Sequence, residues 1–151
     1  MAPEWLRRMQ RYFDLPGIGA VGAMLFYPDG GLQHGGIETD PEWIAGELKR
    51  TLAPQEIAAG RDVSAVTGAC LLTTRSAISR VGRLDEALPS HYPDVDFCLA
   101  LRQAGYRVIQ AADVRLKHHE SATRGRVDRA DDVQWNEAIG RMRRKWGGFL
   151  R

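Results

Sequence analysis

The sequence predicts an α/β fold built as a single domain over residues 1–151. Apolar residues recur at helical spacing near both ends of the chain. Between them lie apolar runs of strand length, bounded by glycine and proline turns. A nearly all-apolar helix in the second half must be covered by other elements on most of its sides. A chain of 151 residues is long enough to bury such a core.

The composition is typical of a globular protein. Apolar residues make up 44% and charged residues 26%, which argues against disordered, collagen-like and coiled-coil chains. A net charge of +2 gives no reason to expect a nucleic-acid partner. Two cysteines cannot build a disulfide scaffold, and we find neither a membrane-spanning apolar run nor a signal peptide. We expect a cytoplasmic protein whose membrane contact is at most peripheral.

Apolar spacing and turn residues predict the elements of the first half. Residues 3–13 predict a helix and residues 20–27 a buried strand, with a proline–glycine stop between them. The Pro-Asp-Gly-Gly turn at residues 28–31 leads into a shorter strand at residues 32–37. Residues 38–62 are mixed in character, and we interpret them as a variable insertion.

In the second half, residues 63–74 predict a strand interrupted by Gly68, and residues 76–81 predict a short helix. The clearest helix covers residues 94–104, with Asp94 as its N-cap and a glycine as its C-terminal stop.

The last elements are a strand, a loop and a helix. Residues 107–118 are strand-like, and residues 120–129 form a polar, arginine-rich loop. Residues 131–146 predict a final helix, with acids at its start and basic residues at its end as the helix dipole favours. Its apolar stripe consists of Trp135, Ile139, Met142 and Trp146.

The glycines at residues 17–22 match the pattern G-x-G-x-x-G. A dinucleotide-binding loop of this type follows a strand and opens a helix. Here a predicted helix comes first and a predicted strand follows, so we expect a tight turn rather than a nucleotide site.

Two carboxylates open the apolar helix, Asp94 and Asp96. A carboxylate at a helix start is held by backbone N–H groups and can face a cleft, which suits a general base or a metal ligand. Plain helix capping explains the same residues equally well, and both interpretations stay open. Asp85 and Glu86 add two acids in the preceding loop, where contact with solvent alone would explain them.

His118 and His119 follow the last predicted strand. Adjacent strand residues face opposite sides, so at most one imidazole is expected at a given site. His118 suits a metal or phosphate contact, and a structural role is equally compatible. Thr123 and Arg124, in the loop beyond, carry groups that can hold a diphosphate, although a solvated basic loop gives the same pattern.

Two further residues have simpler interpretations. Cys98 lies on the apolar helix and is expected in the core, because a neutral buried thiol is inert. His34 could line a ligand site, but we assign it to a hairpin.

Five short motifs follow one another in order between residues 21 and 125. They read VGAMLFYPDG with QHGGI, VTGACLL, VGRLDE, PDVDFCL with GYR, and HHESATRG. Each is weak alone, but the ordered set resembles family 2 glycosyltransferases. The likeness is greatest to bacterial rhamnosyltransferase-type enzymes of cell-surface polysaccharide synthesis.

The resemblance implies the second half of a GT-A domain, a mixed sheet flanked by helices. In the family, a nucleotide-binding half ends in an Asp-x-Asp metal motif, and a helix beginning near "p-WLe" follows. This chain has PEWL at residues 3–6 and no Asp-x-Asp before it. We therefore expect the acceptor-side half, with a divalent metal ion, Mg or Mn, needed by the complete domain.

The family's reaction is inverting transfer of a sugar from a nucleotide-diphosphate sugar to a glycan or glycolipid acceptor. The matching motifs imply Asp94 as the base, Asp96 as an acid that orients Asp94 or the acceptor, and His118 as a contact to the metal or diphosphate. The resemblance further implies a substrate-binding set of Gly68, Ala69, Asp85, Glu86, Thr123 and Arg124.

Two departures from the family pattern favour an alternative function. Pro93 stands where Asn or Glu is usual, and Arg83 replaces a glycine. Together with the lost Asp-x-Asp motif, they fit a non-catalytic remnant that binds a partner chain or an acidic glycan.

Two other expectations remain open. A metal-dependent hydrolase that uses Asp94, Asp96 and His118 rests on the composition of the site alone. A half-domain also exposes a sheet edge, so we expect a homo-oligomer or pairing with the missing N-terminal half.

Overall fold

The computed structural model describes residues 3–39, 61–88, 92–119 and 133–150. Within these ranges, a mixed sheet of five strands is packed between α-helices, which confirms the α/β class. The helices are α1 Glu4–Arg11, α2 Arg75–Val81, α3 Pro93–Gln103 and α4 Val133–Trp146. The strands are β1 Ile18–Phe26, β2 Leu32–His34, β3 Arg61–Asp62, β4 Leu71–Thr73 and β5 Arg107–Lys117. Two short 3-10 turns cover Tyr12–Asp14 and Gly68–Cys70.

Strand β1 is the centre of the sheet. Strand β5 runs parallel to it along one edge. The other edge is shared by β4, paired with the first half of β1, and β2, paired with its end, both antiparallel. Strand β3 pairs antiparallel with the far side of β5. The two strands are parallel because the segment between them, which includes α2 and α3, returns the chain to the end of the sheet where β1 begins.

The core forms two layers, one on each face of the sheet. Along β1, Ala20 faces the layer built with α3 and α4, whereas the next residue, Val21, faces the layer built with α1. The same alternation holds for Val108 and Ile109 on β5. Because both faces are covered, eight of the nine residues of β1 are buried. Each large apolar side chain buried in this way contributes about 1.5–3 kcal/mol.

Most predicted elements are confirmed with small shifts of their ends. A helix precedes the glycines at 17–22, and Gly17 has φ +75° in the turn that follows it. Gly19 and Gly22 lie inside β1, which begins at Ile18, so only Gly17 takes part in the predicted turn. The turn at residues 28–31 closes with the Gly30 N–H on the Tyr27 carbonyl. Gly82 ends α2 at φ +94°. None of the helices in the described part of the chain combines the length and apolarity needed to cross a membrane.

The predicted strand over residues 63–74 is wrong as one element. Residues 63–66 are buried, with a single bridge between Ala65 and Ile37, and a turn then separates them from β4. The Thr67 hydroxyl oxygen accepts the Ala69 N–H, which closes this turn. The segment interpreted as a variable insertion ends in an edge strand, β3, while its residues 40–60 lie outside the described ranges.

Candidate functional site

The prediction that Asp94 caps α3 is wrong, because the helix begins one residue earlier. Its N-cap is Tyr92, with φ 66° and ψ 8°, and Pro93 takes the first helical position, where its missing N–H is not needed. Asp94 therefore lies inside the first turn, half-buried. One oxygen of its carboxylate reaches another segment of the chain, and the other accepts an N–H of its own helix.

That other segment is the turn after Thr67. Oδ2 of Asp94 accepts the Gly68 N–H at 2.7 Å, and Oδ1 accepts the Val95 N–H at 2.9 Å. A Cβ on Gly68 would lie 3.3 Å from Cβ of Asp94, so glycine permits this close approach. The neighbouring Thr67 N–H donates to Nε2 of His34 at 3.1 Å. We call His34, Thr67, Gly68 and Asp94 the Asp94 cluster; it is open to solvent, because Gly68 is exposed.

Asp96 points to a different place, although it is only two residues from Asp94. Its side chain accepts the indole N–H of Trp146 at 2.8 Å, and Nζ of Lys145 lies 2.8 Å from the same carboxylate. Lys145 Nζ is also 3.6 Å from Oδ2 of Asp85. We call Asp85, Asp96, Lys145 and Trp146 the Asp96 cluster. Asp96 is 3% exposed, so its charge is compensated by α4 rather than by water.

His118 follows β5 at the carboxyl end of the parallel pair. Its backbone N–H donates to the carbonyl of Phe26, the last residue of β1, and its Nδ1 lies 2.7 Å from Oε1 of Gln33. His118 is half-buried and His119 is exposed. The two imidazoles therefore differ in surroundings, as the alternation along a strand predicts.

Asp94 and His118 are connected through β2. Gly68 bonds Asp94, the preceding Thr67 bonds His34, and Gln33 beside His34 bonds His118. The contacts of His118 lie at the carboxyl end of the parallel strands, which is where ligands bind in open α/β sheets. The structure thus places the Gly68 turn and His118 against neighbouring residues of β2, and Asp96 contacts neither of them.

The remaining predicted site residues fall in several places. Ala69 is exposed, and its N–H is held by Thr67. Asp85 belongs to the Asp96 cluster and also accepts the Ala87 N–H, while Glu86 is exposed. Thr123 and Arg124 lie outside the described residues, as does most of the predicted polar loop.

The described residues contain no group of three His, Cys, Asp or Glu side chains able to hold a metal ion. Asp94, Asp96 and His118 are all described and are not brought together, so the hydrolase hypothesis lacks its site. His118 offers one imidazole with an amide as its recorded neighbour. Taken alone, the described part of the chain does not fit a site for Mg²⁺ or Mn²⁺, which prefer several oxygen ligands.

Cys98 is confirmed as a core residue. Its thiol is fully buried in α3, and burial raises its pKa to about 12, which keeps it protonated. Burial also raises the pKa of Cys70, the half-buried thiol in the turn before β4. Neither thiol has the lowered pKa of a nucleophile.

Sequence reasoning missed the partners of both carboxylates. It assigned His34 to a hairpin, counted Lys145 among the basic residues that favour the helix dipole, and placed Trp146 in the apolar stripe of the last helix. One signal was available: a carboxylate on an almost entirely apolar helix needs a cation or a donor from another element. No comparable feature of the sequence predicts the left-handed backbone conformation of Tyr92.

No protein-family model matches the chain. Three curated bacterial proteins resemble it. An uncharacterized protein of Sinorhizobium fredii is 37% identical over 97% of this chain and 17% of its own length. The O-antigen biosynthesis protein RfbC of Myxococcus xanthus is 33% identical over 87% of this chain and 10% of its own.

The third relative is an N-acetylglucosaminyl-diphospho-decaprenol L-rhamnosyltransferase of Mycobacterium tuberculosis. It is 30% identical over 74% of this chain and 40% of its own length. The chain thus spans less than half of each of these relatives. Over most of its own length, however, it is glycosyltransferase-like in sequence.

Proposed function

We propose that this chain is the acceptor-side part of an inverting family 2 glycosyltransferase with a GT-A fold. It would transfer a sugar from a nucleotide-diphosphate sugar to a polysaccharide or glycolipid acceptor. The observation that carries the proposal is the Asp94 cluster, a carboxylate held by two backbone N–H groups at a solvent-open point of the site region. The names of two relatives, one in O-antigen biosynthesis and one an L-rhamnosyltransferase, support the substrate class.

The reaction requires a base that deprotonates the acceptor hydroxyl group and a diphosphate that departs as the leaving group. In the proposed step, the acceptor oxygen forms a bond to the anomeric carbon while the bond from that carbon to the diphosphate oxygen breaks. The acceptor's proton moves to the carboxylate of Asp94, and the diphosphate leaves with the bonding electron pair. Attack from the side opposite to the leaving group inverts the anomeric centre.

Asp94 suits the role of base because its orientation is fixed from two directions. Each carboxylate oxygen carries two lone pairs, and one on each is used by Gly68 or Val95. The remaining lone pairs can accept the proton of a hydroxyl group. A carboxylate that is already oriented loses little freedom when the acceptor binds.

The other residues take supporting roles in the proposal. Gly68 and Ala69 let substrate approach the backbone, Glu86 contacts the acceptor, and Thr123 and Arg124 hold the diphosphate. Asp85 pairs with Lys145 in the Asp96 cluster, so we do not assign it a substrate contact. His118 contacts the diphosphate or the metal ion. A divalent metal ion, Mg or Mn, would neutralise the leaving group, with its oxygen ligands supplied by a nucleotide-binding half that is a separate segment or chain.

The experiment is a chimera. The segment of the mycobacterial relative that matches this chain is replaced by residues 1–151, and sugar transfer is measured with and without Asp94→Asn. Asp94→Asn should lower kcat by about 10²–10⁴-fold, because the asparagine amide cannot take the proton. Asp14→Asn is the matched control, since Asp14 is an exposed aspartate in the turn after α1 and should leave kcat unchanged.

Two outcomes would contradict the proposal. Full activity of the Asp94→Asn chimera would remove Asp94 as the base. A folded but inactive wild-type chimera, measured beside an active parent enzyme, would favour the non-catalytic remnant. Calorimetry of the 151-residue chain with sugar nucleotides and Mn²⁺ adds a separate test, because saturable binding would count against a remnant.

A further inference from the structure

Helix α4 contacts the start of α3 at two points that lie on either side of Asp94. The ring of Trp135 packs on the ring of Tyr92, with centroids 5.0 Å apart. Two to three turns further along α4, Lys145 and Trp146 hold the carboxylate of Asp96. The five residues 92–96 are therefore held from both ends by one helix.

The contact at Asp96 has strict requirements for its partners, because the carboxylate is buried. A buried charge is tolerated only when a cation and hydrogen-bond donors compensate it. Trp146 is itself 2% exposed, while the Lys145 side chain is 45% exposed and reaches in from the surface. The first turn of α3 can thus keep its position only while α4 stays docked beside it.

The contact at Tyr92 holds an unfavourable backbone conformation. A non-glycine residue at φ 66° is uncommon, and for a bulky side chain such a conformation persists only where its surroundings impose it. The chain enters α3 through Tyr92, so this conformation sets the direction in which Pro93 and Asp94 begin the helix.

We propose that Asp96, Lys145 and Trp146 are positioning residues for Asp94. They fix the first turn of α3 from the side opposite to the Asp94 cluster, so that the Asp94 carboxylate meets the Gly68 N–H. Residues two apart on a helix point about 160° away from each other, so one turn can be held on one side and contact Gly68 on the other. The catalytic meaning of this positioning rests on the proposed function, whereas the positioning itself does not.

The Gly68 amide proton reports on this arrangement, because it donates to Asp94 at 2.7 Å. We would record nitrogen–proton spectra and amide exchange of the 151-residue chain and of its Lys145→Met and Trp146→Phe variants. Both variants should move the Gly68 amide proton upfield and speed its exchange by about fivefold or more, as the bond to Asp94 opens more often. Lys145→Arg should restore the wild-type signal.

Arg144→Met is the matched control, because Arg144 is an exposed basic neighbour on the same helix. It should leave the Gly68 amide unchanged. An unchanged Gly68 amide in folded Lys145→Met would overturn the proposal. If Trp146→Phe fails to fold, Lys145→Met still provides the test, since Lys145 is half-exposed and does not belong to the apolar core.

Turnover in the chimera then separates this inference from the proposed function. If both hold, Lys145→Met lowers kcat with little change in KM, and Lys145→Arg recovers it. If the Gly68 amide responds while turnover is independent of Asp94, the proposed function fails and the positioning stands. If turnover depends on Asp94 while the Gly68 amide does not respond, the positioning proposal fails and the proposed function stands.

Discussion

Asp94 and Asp96 leave the same turn of α3 in opposite directions and enter different surroundings. Asp94 is half-buried and bonds backbone N–H groups beside the exposed Gly68, whereas Asp96 is 3% exposed and bonds side chains of α4. Two acids that look equivalent in the Asp-Val-Asp motif therefore have different physical roles. The first lies beside a solvent-exposed turn, and the second is built into the packing of the domain.

The largest expected difference between the two is in stability. Asp96→Ala should lower the free energy of unfolding by about 2–3 kcal/mol, because it removes a charge-assisted hydrogen bond and leaves the buried Trp146 indole N–H unpaired, while the exposed Lys145 ammonium stays solvated. Asp94→Ala should cost about 1 kcal/mol, the usual value of a partly exposed hydrogen bond. Urea unfolding followed by circular dichroism measures both. Equal losses in the two variants would remove the distinction.

Labelling of the two thiols tests whether the stability lost in Asp96→Ala is confined to the surroundings of α3. In the native chain at mildly alkaline pH, Cys98 should react about a hundredfold more slowly than Cys70, because burial in α3 raises its pKa to about 12 and blocks access. In Asp96→Ala the reaction of Cys98 should speed up while that of Cys70 changes little. Mass spectrometry of labelled peptides gives both rates. Faster labelling of both thiols alike would indicate global unfolding instead.

A smaller effect is expected on the Asp94 side. Gly68→Ala places a Cβ 3.3 Å from Cβ of Asp94, which forces a shift of a few tenths of an ångström and should cost about 1 kcal/mol of stability. Gly148→Ala is the control, since a Cβ there meets open space and should change stability by less than about 0.5 kcal/mol. In the chimera, the same Gly68→Ala change should lower sugar transfer. Wild-type transfer by that variant would mean that the position of Asp94 against Gly68 is unimportant.

The smallest effect comes from an exposed ion pair, which serves as a reference for the buried one. Hydrogen bonding to Arg107 lowers the pKa of Asp62, so this pair stabilises the fold above the ordinary pKa of 3.8 and loses its contribution as the pH falls through the lowered value. Both side chains are about half exposed, so solvent screening limits the effect to less than about 0.5 kcal/mol. Asp62→Asn should reduce the fall in the free energy of unfolding at acid pH by less than about 0.5 kcal/mol. A loss approaching that of Asp96→Ala would show that burial does not set the difference.

Local patterns predicted much of the fold. The apolar run that became β1, the glycine stop of α2 and the buried face of α3 were all visible as spacing along the chain, because each depends on neighbours within a few residues. Pairing was not visible in this way. The assignment of residues 63–74 to one strand failed because Thr67 closes a turn with its own side chain, which competes with a continued ladder.

The sequence by itself determined the α/β class, the apolar helix and the presence of two carboxylates at its start, since these follow from composition and periodicity. Only the tertiary structure decided that Asp94 meets Gly68 and that Asp96 meets Lys145 and Trp146. These partners lie 26, 49 and 50 residues away along the chain, and no local pattern encodes which distant group will compensate a charge. Helical geometry turns the two carboxylates apart, so that Asp96 packs against α4 while Asp94 meets the exposed turn at Gly68.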